Sequence, residues 1–429
     1  MQESADVVIV GGGIVGVSTA WFLAKQGVSV VVCEKGHVAG EQSGRNWGWV
    51  RQQGRDTREM PMIIESLRIW RGLADEIGED VGFTEGGVLF TAKTDKQLQQ
   101  YADWMASVSG YGLDTRLLDA EELGRVVRGA RGGWRGGLYT ASDGRAEPQK
   151  AAPAIARAAA REGATVLTGC AVRGVETAGG RVAAVITELG TIRTSTVVCA
   201  TGAWTSMFCR SLGIIVPQLK VRGTVARTGP APKVFDGALF DDRIALRRRQ
   251  DGGYTLAYGI LFEHAITPAS FRFARLFLRA LLMEPEAMRL SIGREFFEEL
   301  ATPTRWALDA QSPFEKTRVL DPEPNPKVLG RIRRNLGEVF PELAGTELTE
   351  AWAGMIETTP DVIPVIGEAD SLPGFYVATG FSGHGFGIGP GAGKAIAGLV
   401  TGKDSGIDLR EFRLGRFFDG TPIRPQSSV

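Results

Sequence analysis

A glycine pattern near the start of the chain, followed by a carboxylate, has the residue types and spacing that hold a dinucleotide. Gly11, Gly13 and Gly16 form G-x-G-x-x-G directly after the apolar run Val7–Val10, and Glu34 follows about 20 residues further on. The first glycine permits a tight turn, the second lets the backbone approach a pyrophosphate, and the third allows a helix to pack closely on a strand. Glu34 would accept hydrogen bonds from ribose hydroxyls. The segment therefore predicts a dinucleotide site at the N-terminal end of the following helix.

Two further segments favour FAD as the dinucleotide. A buried strand at residues 196–201 ends at Gly202, and Trp204 follows, as is common where a flavoprotein chain returns to its cofactor. Residues 380–393 form a glycine-rich loop that leads into a helix from Lys394, with Pro390 near the helix start. Backbone N–H groups and the helix dipole would stabilise the negative charge of a reduced flavin there. The alternative for this last segment is a glycine-rich packing loop.

The composition limits the other classes of protein that the chain could represent. Lysine plus arginine equals aspartate plus glutamate, 49 each, which argues against a nucleic-acid partner. Three histidines and four scattered cysteines show no metal-ligand spacing, so we expect no metal. No apolar run could span a bilayer, and a strand begins within a few residues of the N-terminus, so we expect a cytoplasmic protein. With 429 residues, the chain should form two joined domains.

Four stretches outside the glycine segments carry a resemblance to a known family. They are residues 34–36 (EKG), 39–43 (AGEQS), 170–177 (CAVRGVET) and 312–316 (SPFEK). With the three segments above, they make nearly the whole chain resemble the D-amino-acid-oxidase superfamily of FAD enzymes, which includes glycine oxidase, sarcosine oxidase and D-amino acid dehydrogenase. Within the superfamily, the chain is most similar to the L-amino acid deaminases of Proteus type.

The resemblance implies an α/β fold in which a Rossmann-like, doubly wound FAD-binding domain is interrupted by an α+β substrate domain with a large mixed sheet. On this basis the FAD-binding domain comprises residues 1–80, 143–216 and 352–429. The substrate domain comprises residues 81–142 and 217–351, with a helical insertion at about 265–312.

The resemblance also implies oxidation of a C–N bond in an amino acid or amine. A neutral amine loses hydride to flavin N5, and the resulting imine hydrolyses in water. Such chemistry depends on orientation of the C–H bond and on a deprotonated amine more than on a strong protein base. The residues expected to hold the FAD are Gly11, Gly13, Ile14, Val15, Gly16, Glu34, Lys35, Ser43, Arg45, Asn46, Trp47, Gly48, Val172, Gly202, Trp204, Gly354, Gly383, His384, Gly385, Phe386, Gly387 and Ile388.

The chain departs from the family at three positions that bear on the site. Gly354 stands near the place where some sarcosine oxidases attach flavin through a cysteine, so we expect non-covalent FAD. Gly259 stands where the deaminases have an arginine that binds the substrate carboxylate, and Trp49 replaces a glutamine. Arg51 and Arg222 are therefore the candidates for binding a carboxylate, and the alternative role for each is a structural ion pair.

Aromatic residues and one histidine complete the candidate catalytic set. Trp47, Trp49 and Tyr258 could form a cage around an amine or a ring, or could belong to the core. His384 is the one residue of the flavin-proximal loop that could take a proton from a hydroxyl group. It supports a second hypothesis, a FAD-dependent 2-hydroxy-acid dehydrogenase. A third hypothesis is the FAD subunit of a multi-subunit dehydrogenase, and a fourth is a flavin hydroxylase that uses NADPH.

One segment suggests contact with a membrane surface. Residues 270–283 place Arg272, Arg275 and Arg279 among leucines and phenylalanines, the pattern of a basic amphipathic helix. The alternative is a surface helix of a soluble domain. A peripheral position on the inner face of the membrane would suit a quinone or another electron carrier as acceptor, whereas a direct oxidase would use O2.

Overall fold

A computed structural model describes residues 2–259, 261–283 and 288–426, so residues 284–287 of the expected insertion lie outside the described ranges, as do residues 1, 260 and 427–429. The strands are β1 (Val7–Val10), β2 (Val30–Cys33), β3 (Trp49–Val50), β4 (Thr84–Glu85), β5 (Val88–Ala92), β6 (Thr115–Asp119), β7 (Gly136–Thr140), β8 (Gly144–Arg145), β9 (Thr165–Leu167), β10 (Val172–Ala178), β11 (Arg181–Thr187), β12 (Gly190–Arg193), β13 (Val197–Cys199), β14 (Leu219–Thr228), β15 (Ala238–Phe240), β16 (Ala245–Arg248), β17 (Tyr254–Ala257), β18 (Phe262–Ala265), β19 (Met288–Ser291), β20 (Leu348–Thr358), β21 (Val365–Glu368) and β22 (Phe375–Thr379). The α-helices are α1 (Ile14–Ala24), α2 (Gln42–Arg45), α3 (Met60–Ile77), α4 (Asp95–Ser107), α5 (Ala120–Val126), α6 (Pro148–Arg161), α7 (Thr205–Ser211), α8 (Pro268–Arg272), α9 (Ala274–Met283), α10 (Arg294–Ala301), α11 (Pro313–Lys316), α12 (Pro326–Val339) and α13 (Gly385–Thr401).

Short strands rich in β-branched residues form a six-stranded sheet with the order β21-β22-β13-β1-β2-β9. Its neighbours are parallel except that β21 is antiparallel to β22. Within β1, Val7 and Ile9 face one apolar core and Val8 and Val10 face another. Helices α1, α6 and α13 contribute to the first core, and the meander β10-β11-β12 contributes to the second. Both faces of the sheet are covered, which confirms the doubly wound fold class.

The second large sheet has ten strands and is mixed. Its order is β19-β18-β14-β17-β16-β15-β5-β7-β6, and β20 also pairs with β14. The pairs β15–β5 and β18–β19 are parallel and the others are antiparallel. Residues 352–358, which we expected in the FAD-binding part, lie in β20 and so extend this sheet. The long β14–β20 pair brings the sheet to the edge of the cavity described below.

Helix α13 begins earlier than the sequence pattern indicates. The helix was expected from Lys394, but it begins at Gly385, and Pro390 lies inside it rather than near its start. The glycines serve close helix packing rather than a loop. A Cβ atom added at Gly389 would lie 2.8 Å from Cγ2 of Ile14 in α1. The packing alternative therefore describes residues 385–393 better than a loop does.

Helix α3 packs on α13 through a serine. The Ser66 hydroxyl donates to the Gly387 carbonyl at 2.7 Å and accepts from the Gly391 N–H at 3.1 Å. The Trp70 indole donates to the same Gly387 carbonyl at 2.9 Å. A Cβ at Gly391 would lie 2.5 Å from the Met62 carbonyl oxygen, so only glycine fits there. These contacts fix the N-terminal turns of α13, which border the cavity.

The expected insertion carries an apolar surface. The segment read as a single helix from residue 270 is divided into α8 and α9, which meet at Phe273. Phe277 and Phe273 are buried, whereas several apolar side chains remain exposed. These are Phe271, Leu278, Leu281, Leu282, Met283, Leu290, Ile292, Phe297 and Leu300. Among the described residues, no helix is both long enough and apolar enough to cross a membrane.

Candidate active site

A cavity of about 1460 Å³ begins at the carboxyl ends of the central strands of the six-stranded sheet and continues along the ten-stranded sheet. Val10, Gly11 and Glu34 line it where β1 and β2 end, and Ala200 and Thr201 line it after β13. Ligands of open α/β sheets bind at such strand ends. The other end of the cavity reaches the helices of the insertion. One space thus joins the expected dinucleotide site to room for a substrate.

The dinucleotide turn has the geometry that its glycines predict. Gly11 has φ of 110°, a conformation that glycine adopts without strain. The N–H of Gly12 donates to Oε2 of Glu34 at 2.7 Å, and the Ile14 N–H donates to Oγ of Ser43 at 2.9 Å. A Cβ at Gly13 would lie 3.2 Å from the same Ser43 oxygen, so the backbone there is accessible at close range. The turn therefore fits a pyrophosphate next to the start of α1.

Most of the residues expected to hold FAD border this cavity, but four do not. Gly16 packs on the first glycine of the motif, and a Cβ at Gly48 would lie 2.7 Å from Nε of Arg247. Gly387 contacts α3, and Ile388 is fully buried in the core. The others line the cavity, namely Gly11, Gly13, Ile14, Val15, Glu34, Lys35, Ser43, Arg45, Asn46, Trp47, Val172, Gly202, Trp204, Gly354, Gly383, His384, Gly385 and Phe386.

Three charged side chains surround the Trp204 indole beside the dinucleotide turn. Its indole N–H donates to Oε1 of Glu41 at 2.9 Å. The Nζ atoms of Lys35 and Lys220 lie 4.2 and 5.3 Å from its ring centre, within the range of cation–π attraction. Lys35 also lies 2.9 Å from Oε1 of Glu41. Lys35, Glu41 and Trp204 line the cavity, whereas Lys220 is not among its lining residues.

Not all of the candidate catalytic residues line the cavity. Trp49, Arg51, Tyr258 and His384 line the cavity. Arg222 does not: its guanidinium pairs with the Glu263 carboxylate through two hydrogen bonds of 3.2 and 3.1 Å. The residues next to it in β14, Val221 and Gly223, line the cavity, so the alternation of the strand directs Arg222 to the opposite face. For Arg222, the structural ion pair is the observed role.

Arg51 is a buried cation in the cavity wall. It is 8% exposed, and its Cζ lies 5.1 Å from the ring centre of Phe90. Its Nη1 donates to the Gln53 carbonyl, which is the one hydrogen bond of its side chain within the described part of the protein. Burial, together with the neighbouring Arg55 guanidinium, lowers the pKa of Arg51 to about 9. It remains charged near neutral pH, with further N–H groups available to a ligand.

Two of the three aromatic candidates, Trp47 and Trp49, form one wall of the cavity together with Phe90. The rings of Trp47 and Trp49 meet edge to face with centres 5.4 Å apart, and Trp49 lies 6.3 Å from Phe90. The Trp49 indole N–H is buried and donates to no described residue. Tyr258 lies apart from this group, and the Arg331 guanidinium stacks 5.5 Å from its ring centre. The tryptophans and Phe90 thus make an aromatic surface, to which Tyr258 does not belong.

Sequence reasoning did not find two buried residues beside His384. Glu59 is fully buried, and its Oε2 lies 3.2 Å from Nδ1 of His384. Arg55 is 3% exposed, and its Nε donates to the Arg51 carbonyl at 3.1 Å. Asp143, also fully buried, accepts the N–H groups of residues 52 and 53, and burial raises its pKa to about 7. Three more ionisable residues therefore surround the candidates, from separate segments in which no motif marks them.

Glu357 is a further buried carboxyl group that the sequence analysis passed over. It lies opposite Lys220 in the β20–β14 pair, and its Oε2 accepts no hydrogen bond from a described residue. That oxygen lies 4.0 Å from a Cβ added at Gly202. Burial raises the pKa of Glu357 to about 7 and lowers that of Lys220. The sequence signal that could have identified Glu357 is an acidic residue within the otherwise apolar strand segment WAGMIET.

These features define a flavoprotein class in which a dinucleotide turn and a substrate cavity share one continuous space. The match to a family model extends over residues 6–399, and the chain belongs to that family, DAO, the FAD dependent oxidoreductases. FAD is therefore the cofactor, as the glycine segments indicated. No group of residues suited to a metal ion is found among those that the structure describes.

Solved structures and curated sequences resemble the chain over almost its full length. L-amino acid deaminase from Proteus myxofaciens, solved with anthranilate, is 34% identical with a TM-score of 0.94, covering 97% of this chain and 94% of that one. Glycine oxidase from Geobacillus kaustophilus is 25% identical over 97% of this chain and 98% of its own. Mitochondrial sarcosine dehydrogenase from Mus musculus is 27% identical over 97% of this chain, which spans only 42% of that relative's length.

Proposed function

We propose that the protein oxidises the C–N bond of an amino acid or a related amine that carries a carboxylate, giving an imine that hydrolyses to a keto acid or carbonyl product plus ammonia or amine. The observation that carries the proposal is the buried Arg51 cation, which faces a cavity continuous with the dinucleotide turn. Relatives named as a deaminase, an oxidase and a dehydrogenase of amino acids support the same reaction class.

Arg51 binds the substrate carboxylate in this proposal. Gly259 cannot do so, and Arg222 is paired with Glu263. A guanidinium inside a low-dielectric wall forms stronger charge-assisted hydrogen bonds than one in water, and its fork matches the two carboxylate oxygens. The neighbouring Phe90 ring holds the guanidinium plane in place. The substrate is therefore anchored at one end before its C–N bond is oriented.

The aromatic wall positions the rest of the substrate. Trp49 and Arg51 both contact Phe90, so a substrate held by the arginine would extend along the cavity wall that Trp49 and Trp47 share. An aromatic surface attracts a protonated amine and also excludes water from the reacting carbon. Bound FAD supplies the two-electron acceptor. The chain contributes orientation, which is the main requirement of this chemistry.

The cofactor itself is held without a covalent bond in this proposal. The residues that fit it are those of the glycine turn that line the cavity, Ser43, Lys35, and the N-terminal turn of α13. Gly354 lies in the wall and has no side chain that could bond to the flavin. The N–H groups at the start of α1 would stabilise the negative charge of a pyrophosphate.

The test is anaerobic bleaching of the bound flavin by a panel of substrates. The panel contains L- and D-amino acids, N-alkylated glycines, cyclic and aromatic amines without a carboxylate, and 2-hydroxy acids. We expect rapid bleaching by amino acids or N-alkyl amino acids and slow bleaching by amines that lack the carboxylate. If 2-hydroxy acids alone bleach the flavin, the second candidate replaces the first. Bleaching that requires an added protein would instead indicate a subunit of a larger dehydrogenase.

The second candidate, a 2-hydroxy-acid dehydrogenase, is favoured by one observation. His384 lines the cavity, and the oxidation of an alcohol needs a base for the hydroxyl proton. The same arginine would bind the carboxylate of a hydroxy acid. Product analysis separates the two, because only an amine substrate releases ammonia or amine.

We further propose that the insertion rests on a membrane surface. Its exposed apolar side chains, with Phe271 and Leu282 both 67% exposed, lie beside the basic residues Arg272, Arg275 and Arg279. Apolar contact combined with arginine attraction to anionic lipids is the usual basis of peripheral binding. The cavity extends to these helices, so a lipid-soluble quinone would reach the flavin from that side.

A further inference from the structure

We propose that His384 takes the proton from the substrate's ammonium group and that Glu59 is the residue that positions it. The inference rests on the proposed C–N oxidation and assigns that reaction a proton acceptor. An amino acid arrives mostly as an ammonium ion, because an alkylammonium group has a pKa of about 10. Oxidation needs the neutral amine, since its lone pair stabilises the carbon that loses hydride. A base in the cavity would supply that form at neutral pH.

Glu59 is a buried carboxylate that makes no hydrogen bond within the described part of the protein. Its side chain is 0% exposed, and neither carboxylate oxygen accepts a hydrogen bond from a described residue. Such burial is costly for a carboxylate without hydrogen bonds, and the nearby Arg55 and Arg51 guanidinium groups offset only the charge. The nearest partner is Nδ1 of His384, 3.2 Å from Oε2, in an orientation that falls short of a hydrogen bond in the absence of substrate. The carboxylate is therefore directed at the imidazole.

The imidazole has one buried side and one open side. Nδ1 of His384 is fully buried next to Glu59, while the side chain as a whole is 13% exposed and lines the cavity. Nε2 is therefore the ring nitrogen that a substrate can reach. The carboxylate favours the tautomer with hydrogen on Nδ1, which leaves the Nε2 lone pair for a proton. His384 also lies at the N-cap of α13, so the helix fixes its backbone.

Burial and the surrounding charges favour the neutral form of the His384 imidazole. Burial, followed by the Arg55 guanidinium, lowers the pKa of His384, while Glu59 opposes that shift and Arg51 adds to it. The same His384 side chain and the two arginines lower the pKa of Glu59 despite its burial. The other charged group of this cluster, Asp143, accepts backbone N–H groups. Near pH 7 the pair is therefore a neutral histidine beside an ionised glutamate.

The proton step balances without a further reactant. The N–H bond of the ammonium breaks, its electron pair stays on nitrogen, and the proton forms a bond to Nε2 of His384. Glu59 then stabilises the imidazolium through Nδ1–H, as a carboxylate does for a catalytic histidine. Bound FAD would accept the hydride that the neutral amine then gives up, which leaves the imine. Because Arg51 binds the carboxylate, the ammonium end of the substrate is the end left for His384.

The test compares anaerobic flavin reduction by the best amino acid substrate across pH in three holoenzyme variants. For His384→Asn we expect a loss on the order of 100-fold at pH 7 that largely disappears at pH 10, where the amine is already neutral. For Glu59→Gln we expect a smaller loss, on the order of 10-fold, with the same recovery at high pH. Glu76→Gln, at the exposed end of α3, is the matched control. Flavin absorbance and melting temperature show that each variant is loaded and folded.

A loss that is the same at every pH in His384→Asn would overturn the inference, because a merely structural role does not depend on substrate ionisation. An unchanged rate at pH 7 would overturn it as well. Failure of the proposed function is distinct, since in that case no amine bleaches the wild-type flavin. If His384→Asn does not retain FAD, His384→Gln and the Glu59→Gln pH profile decide the question.

Discussion

The carbonyl oxygen of Gly11 occupies the space where a side chain of residue 16 would begin. A Cβ added at Gly16 would lie 2.1 Å from that oxygen and 3.4 Å from Cγ2 of Ile9. The first and third glycines of the motif therefore determine each other, since the tight turn at Gly11 is possible only while position 16 has no side chain. The start of α1 is held against β1 in this way, and the N–H groups that would meet a pyrophosphate are held with it.

Replacing Gly16 with alanine should remove FAD from the protein. The new methyl group must displace backbone, so the turn opens and the phosphate-binding N–H groups move apart. We expect less than a tenth of the wild-type flavin content and a lower melting temperature. The flavin-to-protein absorbance ratio of the purified variant measures the effect. Gly72→Ala is the control, because a Cβ there meets no atom within 4 Å. Retention of full FAD by Gly16→Ala would contradict the geometry.

Substitution of Arg51 and substitution of Arg222, the two arginines proposed from the sequence, should have different effects on kcat/KM. Arg51→Gln should lower kcat/KM for a carboxylate substrate on the order of 10- to 100-fold, because a charge-assisted contact is lost. Arg222→Gln removes the pair with Glu263 and a hydrogen bond to the Glu323 carbonyl, both outside the cavity, so kcat/KM should stay within about 2-fold of wild type. Steady-state assays with one amino acid substrate compare them. Equal losses in both variants would refute the assignment of the carboxylate to Arg51.

Glu357 should make the stability of the FAD-free protein depend on pH. The carboxyl has a pKa of 4.5 in the unfolded chain and about 7 in the folded one. Between these values the folded state keeps a proton that the unfolded state has released, so stability falls as pH rises from 4.5 to 7. The loss is on the order of 3 kcal/mol. Urea unfolding at pH 5 and pH 8 should show it in wild type and show less of it in Glu357→Gln. The exposed Glu350→Gln serves as control.

FAD should leave the protein when it is denatured. No cysteine stands at the Gly354 position, so precipitation with acid should give a colourless pellet and a yellow supernatant. Absorbance of both fractions is the measurement. Colour that stays with the pellet would show a covalent bond through another residue.

The exposed apolar residues of the insertion should determine membrane binding. Replacing Leu282 and Ile292, 67% and 73% exposed, with serine should reduce sedimentation with anionic vesicles at low salt by about half or more. Leu189→Ser is the matched control, because this leucine is 56% exposed on the turn between β11 and β12. If the wild-type protein does not sediment with the vesicles, the proposed membrane contact is wrong.

Local sequence patterns predicted the strands and helices whose own residues show a clear apolar pattern. The apolar run Val7–Val10 forms β1 with the same bounds, and the strand expected at residues 196–201 is present as β13, Val197–Cys199. The start of α13 could not be found this way, because its glycines are required by α1 and α3, which are distant in sequence. The Glu59–His384 pair was missed for a similar reason. Each residue lies in a loop or at a helix end, and only the folded chain brings them together.

The six-stranded sheet takes its central strands from distant parts of the chain, and this has a consequence for biosynthesis. Strand β1 emerges from the ribosome first, but its neighbour β13 and the next strand, β22, are made much later, and α13 is made after them. Until residue 401 has been made, the glycine turn lacks the complete helix α13, whose Gly389 packs against Ile14 at the start of α1. Nascent chains should therefore remain exposed to proteases and chaperones for most of translation, and they should acquire cofactor only after release.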